Sequence, residues 1–309
     1  MKTIFKYLRD FLIIDFDAPV YLVTIIILIM AIFFNYKFDF EDSILDSYLK
    51  EPISFLYYSL YFGFAYFYVI AIYILFKREL PNISNRAFWI FSLFFIFLLS
   101  FKKSFWWDVN WIPKYLTSTD FYFYKKIILA AKPVFIYTIC IVLFYKFAEK
   151  VKSNWYGLTT SDFNWKPYAF MLLLMMPLIA FASTQVDFLS SYPRLKMKYF
   201  QEDYWPYFLA YEPFYLSGFV LIEWLFRGLL VIGMIRFLGH RAILPAAAIY
   251  CVFHFGKPAG EAISSFFGGY VLGVFAYYSR SIWGGIIVHM GIALMMDLGA
   301  IIGAYFILT

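Results

Sequence analysis

The chain has 309 residues, of which 63% are hydrophobic, 25% aromatic and only 15% charged. So few charges cannot cover a soluble fold of this length, and runs such as Tyr21 to Phe34 and Ile127 to Phe144 leave no polar face. Soluble-enzyme and nucleic-acid-binding classes are excluded; the formal charge of +6 is spread over loops, as juxtamembrane lysine and arginine facing anionic lipid would be.

In chain order, Ile4, Tyr7, Leu8, Phe11 and Leu12 recur at helical spacing with Lys2, Lys6 and Arg9 opposite, which predicts an amphipathic helix in the headgroup plane over 1–17. Asp10, Asp15 and Asp17 interrupt this segment and no small-residue cleavage site follows, so it does not read as a signal peptide. Apolar runs then predict spans near 18–36, 53–76, 87–101, 127–147, 167–184, 207–238, 242–255, 260–279 and 282–307. The expected fold is all-α: a polytopic transmembrane helical bundle of about eight or nine spans. The third span is short, and 102–126 reads as an aromatic, lysine-rich connection along the membrane surface. The expected organisation is an interfacial helix (1–17), N-terminal transmembrane helices (18–205) and a C-terminal core (206–309). Cys140 and Cys251 both sit in apolar runs and build neither a disulfide framework nor a paired-thiol zinc motif. The acidic loop with Asp39, Glu41, Asp42 and Asp46 contrasts with the basic N-terminus and the Lys77, Arg78, Arg86 turn, which favours a cytoplasmic N-terminus; the expected location, a separate expectation, is a bacterial plasma membrane. Lys102, Lys103, Lys125 and Lys126 fall on the opposite side of that scheme.

The last hundred residues place ionisable groups inside apolar helices: Glu223 and Arg227, then His254, then His289 and Asp297. A charge at mid-bilayer costs about 2.5 to 3.5 kcal/mol, so these groups are expected to face inward and mark a functional site. Glu223 and Arg227 are four apart, share one helix face and can pair. A carboxylate with neutral imidazoles can polarise a water for attack on a carbonyl while a second imidazole stabilises the oxyanion, which is hydrolytic chemistry. Gly269 and Gly273 form a small-xxx-small face for close helix packing. Gly256, Pro258 and Gly260 break the chain after His254, so Glu261 opens the next helix, where either capping or a base role accounts for it. Asp297 orients a neighbour or lines a polar cavity, and His240 reads as an interfacial residue.

Glu223-Trp-Leu-Phe-Arg227-Gly228, Phe253-His254 and Ser281-Ile-Trp-Gly-Gly-Ile-Ile-Val-His289 together resemble the CAAX-protease and bacteriocin-processing (CPBP, or Abi) family of intramembrane proteases, which includes the type II CAAX prenyl endopeptidases. The resemblance covers about the last third of the chain. It implies that Glu223 and Arg227 are the family's second glutamate and its arginine, His254 the catalytic partner and His289 the oxyanion donor. Ile222 replaces the first glutamate, which activates water in the family, and Ala293 replaces an asparagine. Glu223 or Glu261 then supplies the base, or activity is lost and the scaffold retained. The resulting expectation is an intramembrane endopeptidase acting on a lipidated or membrane-anchored protein terminus in the bilayer, with no nucleic-acid partner. The alternatives are an inactive scaffold or immunity protein of the same fold and an ion-coupled transporter, the latter opposed by the lack of an inverted repeat. The site reads as cofactor-free, zinc being the alternative, because the His-Glu-x-x-His spacing is missing.

Overall fold

The computed structural model describes residues 2–104, 112–113, 115–149, 154–160, 163–200 and 203–308. Among them every regular element is helical, so the all-α polytopic bundle is observed. Seven helical segments are long and apolar enough to cross a membrane: Ala18–Phe38, Ile53–Leu75, Arg86–Ser104, Ser118–Phe147, Tyr204–Val252, Ala259–Ser279 and Trp283–Ala304. The count falls short of eight or nine because Lys166–Ala182 has only 17 residues and because 204–252 runs on as one apolar helical stretch. Part of the expected surface connection, 105–111 and 114, lies outside the described residues; its end is helical, since the fourth crossing segment starts at Ser118. There Thr117 caps the helix, its hydroxyl accepting from Asp120 N–H at 3.1 Å.

The chain divides into two units, each assembled from three stretches of sequence. The first comprises Met1–Trp106, Ser153–Phe163 and Trp224–Trp283. Its elements are α1 (Lys2–Asp15), α2 (Ala18–Phe38), a π-helical turn (Phe40–Leu45), α3 (Ile53–Leu75) and α4 (Arg86–Ser104). It continues with a π-helix (Trp224–Ile232), the short α9 (Ile235–Leu238), α10 (Ile243–Val252) and α11 (Ala259–Ser279). Every residue of α10 is buried. Its small Ala246, Ala247 and Ala248 and the glycines of α11 let the two helices close up: a Cβ on Gly269 would lie 3.0 Å from Tyr250, and one on Gly273 would lie 3.1 Å from Ile243. The small-residue face is therefore a packing device, as expected where dispersion rather than water drives helix association. Leu244 and Ala248 also pack with Val20, Val69 and Tyr73 of α2 and α3. In α1, Tyr7 stacks on Tyr278 and Phe11 meets Tyr270 edge-on, so its aromatic face lies on α11.

The second unit comprises Trp107–Lys152, Asn164–Glu223 and Gly284–Thr309. It holds α5 (Ser118–Phe147), α6 (Lys166–Ala182), α7 (Val186–Ser191), α8 (Tyr204–Glu223) and nearly all of α12 (Trp283–Leu308). Phe123, Phe200, Tyr204, Phe208 and Tyr211 form its aromatic core with Ile301 of α12.

Candidate active site

Within the first unit, α10 stops at Val252 and a tight turn carries His254: His254 N–H donates to Cys251 O at 2.9 Å and Phe255 N–H to Val252 O at 3.1 Å. Pro258, which cannot extend the turn by donating a hydrogen bond, precedes α11. His254 is buried, and its Nδ1 lies 2.8 Å from Tyr250 O. A carbonyl only accepts, so Nδ1 carries the proton and Nε2 keeps the lone pair. The same Tyr250 packs its ring 4.5 Å from the imidazole and 4.4 Å from the guanidinium carbon of buried Arg227. Arg227 sits in the π-helix, where Gly233 N–H reaches back to Gly228 O at 2.8 Å, and such widened turns recur at functional sites. Gly228 is required there, because a Cβ would lie 2.9 Å from Tyr156 O.

A helix that ends inside a bundle leaves carbonyls unsatisfied. Here side chains of α2 and α3 serve them: Tyr61 OH donates to Val252 O at 3.5 Å, Asn35 Nδ2 to Phe255 O at 3.3 Å and Tyr36 OH to Lys257 O at 2.6 Å. Asn35 also accepts Glu41 N–H at 3.1 Å, and Glu41, buried and ion-paired with Lys103, would lie 2.5 Å from a Cβ on Gly256. Burial pushes the Glu41 carboxyl above its ordinary range, against the lowering effect of Lys103. That pair also accounts for Lys103 at the C-terminal end of α4: it offsets the charge of Glu41 in the acidic loop. Among the described residues, Glu41, Asp42 and Asp46 bring carboxylate oxygens within 4.8 Å of one another, and Lys103 supplies a cation to them. Glu261 opens α11, as expected, and its carboxylate pairs with Lys257 one turn earlier.

Within the second unit, Glu223 closes α8 and is fully buried. Its Oε1 accepts from His289 Nδ1 at 2.5 Å, and Phe219 lies 5.5 Å from the imidazole. The bond commits Nδ1 of His289, and Nε2 of such a ring is an acceptor when bare and a donor when protonated. Gly285 makes room, since a Cβ there would overlap the Glu223 carboxylate, and Gly284 does the same for the Tyr168 ring. Ile222 and Ala293 are both buried. Asp297 is fully buried, eight residues beyond His289, and accepts Arg194 N–H at 2.9 Å. The expected Glu223–Arg227 pair spans the two units and remains a proposal; within each unit Glu223 holds His289 and Arg227 lies on Tyr250.

The structure also adds residues to those the motifs single out. Tyr250 stands one helical turn before His254, a spacing visible in the sequence. Asn35 carries no such signal, since its partner lies 220 residues away.

Residues 204–295 match the family model described as type II CAAX prenyl endopeptidase Rce1-like. This stretch is similar to that family. It holds Glu223, Arg227, His254, Glu261 and His289, and ends two residues before Asp297. No curated protein and no solved structure matches the chain. The side chains that serve the carbonyls of the His254 turn, Asn35, Tyr36 and Tyr61, come from outside the Rce1-like stretch.

Proposed function

We propose that the protein is an intramembrane endopeptidase that hydrolyses a peptide bond of a lipidated or membrane-anchored substrate. The single observation that carries this reading is the buried Glu223–His289 hydrogen bond inside a CAAX-endopeptidase-like stretch. A carboxylate holding Nδ1–H fixes the ring's orientation and balances the charge of the doubly protonated imidazolium, the form that carries an N–H on both nitrogens. His289 then matches the oxyanion-donor role, giving a hydrogen bond from Nε2–H to the carbonyl oxygen as it becomes tetrahedral. His254, with Nδ1–H on Tyr250 O, keeps an Nε2 lone pair, the property that a base taking a proton from water needs. In the hydrolysis the base accepts a proton from water, the hydroxide adds to the carbonyl carbon, the C–N bond breaks and the same proton leaves on the departing amine. In this reading Glu261 stays a helix-opening partner of Lys257 and Arg227 a structural cation.

A lipid-bearing substrate suits an apolar cavity of about 820 Å³ in the first unit, lined by Ile27, Ala31 and Phe34 of α2, Leu60 and Phe64 of α3 and, at the His254 turn, Val252 and Phe255. Cavities of this size enclose ligands of several hundred Å³. Purified protein in proteoliposomes should cleave a prenylated C-terminal peptide faster than its unprenylated form. In ¹⁸O water the label should enter the new C-terminal carboxyl. Intact peptide in both cases counts against the reading. Ile222 and Ala293, apolar and buried, favour the second reading, a non-catalytic scaffold of the same fold, which predicts peptide binding without cleavage.

A further inference from the structure

Glu212 belongs to the same α8 helix as Glu223, and Asp297 to the same α12 helix as His289. Glu212 is only 5% exposed and Asp297 not at all, and the Glu212 carboxyl lies within hydrogen-bonding reach of Asp297. Both Glu212 oxygens and Asp297 Oδ2 are buried with no hydrogen-bond donor, while Asp297 Oδ1 takes Arg194 N–H. The cations facing the pair are Arg194 and Lys196 from the connection before α8 and Lys126 from α5. Each is directed elsewhere: Lys196 Nζ donates to Ser190 O at 2.7 Å, Lys126 lies 5.5 Å from the Tyr122 ring, and the Arg194 guanidinium lies 5.9 Å from the Tyr192 ring. The other titratable groups around it are the hydroxyls of Tyr204, Tyr211 and Tyr215 on α8 itself.

Two ionised carboxylates cannot bond to each other, and three bare carboxylate oxygens are costly where water is excluded. We propose that Glu212 and Asp297 share a single bound proton, forming a membrane-embedded carboxyl–carboxylate site that ties α8 to α12. One proton removes one negative charge and supplies the missing donor, as in other carboxyl pairs too close to ionise together. The two helices carry two polar rungs, Glu223–His289 and Glu212–Asp297, about 17 Å apart along α8 and about 12 Å along α12 at 1.5 Å per residue. Opposite chain directions give this pairing, so the proton site holds the helix pair that also orients His289. It stands whether or not the protein hydrolyses peptides.

Infrared difference spectroscopy of the full chain in lipid nanodiscs at neutral pH tests it. Wild type should show a protonated-carboxyl C=O band that shifts in D₂O. The band should vanish in folded Glu212→Gln, whose amide N–H can replace the shared proton, and should vanish or move in Asp297→Asn. A wild-type spectrum without the band overturns the proposal with no variant needed, as does a band unchanged in either folded variant. Loss of the wild-type band on adding Na⁺ or Ca²⁺ also overturns it, because the pair would then hold a cation.

Discussion

In the proposed mechanism the Glu223–His289 hydrogen bond decides which imidazole nitrogen meets the substrate. Glu223→Gln keeps the shape but replaces the charged acceptor with an amide; peptide cleavage should fall by about 10² to 10⁴ with little change in folded yield. Unchanged cleavage would reduce Glu223 to a packing residue. Gly285→Ala acts on the same bond from the other side, since its Cβ meets the carboxylate. It should cost about 1 to 3 kcal/mol of stability by overpacking and abolish cleavage. Gly268→Ala, with open space around the added Cβ, should be neutral or slightly stabilising in the same thermal-unfolding series. At the start of the chain, burial raises Asp15 from the ordinary 3.8 to about 6, with Tyr21 bonded to it and His240 at 3.6 Å. A raised carboxyl binds more protons folded than unfolded, so its contribution is full below the unfolded value and is lost as pH rises through the folded one. Stability should therefore drop by up to about 3 kcal/mol between about pH 4 and pH 6, and Asp15→Asn should flatten that part of the melting-temperature profile. An unaltered profile would show that Asp15 is not buried in the folded protein.

At the scale of elements, the His254 turn depends on helices distant in sequence. Asn35→Ala removes the donor to Phe255 O and the acceptor for Glu41 N–H together, leaving buried backbone groups unpaired at about 1 to 3 kcal/mol each. Cleavage should drop mainly in kcat, because a displaced His254 binds substrate but takes its proton poorly. A change confined to KM would place the role of Asn35 in the apolar cavity instead. Arg227→Ala should lose about 2 kcal/mol of desolvated cation–π attraction and lower folded yield more than His254→Ala. The crossing helices were legible because apolar runs report lipid directly. Residues 204–252 read as two spans around the His240, Arg241 turn, yet the short 3₁₀ turn there keeps the chain helical. Glu212 escaped notice for a related reason: near the start of an apolar run it looks like a boundary residue, and only Asp297, 85 residues on, gives its burial a meaning.

Across the whole molecule, motif order carried the reading of the C-terminal third, and the family match covers the same third. The N-terminal two hundred residues offered no motif, since their contribution is to side-chain caps on the His254 turn and to an apolar cavity, neither of which has a local spacing. The seven crossing segments make this a membrane protein, and residues 204–295 of it are similar to the type II CAAX prenyl endopeptidase Rce1-like family. The most direct test of its catalytic claim is the cleavage rate of a prenylated peptide in proteoliposomes by wild type, Glu223→Gln, His289→Ala and the double variant. Residues acting as one unit are non-additive, so each single variant should lose at least about 10²-fold and the double variant no more than either. Cleavage by His289→Ala at the wild-type rate would contradict the account.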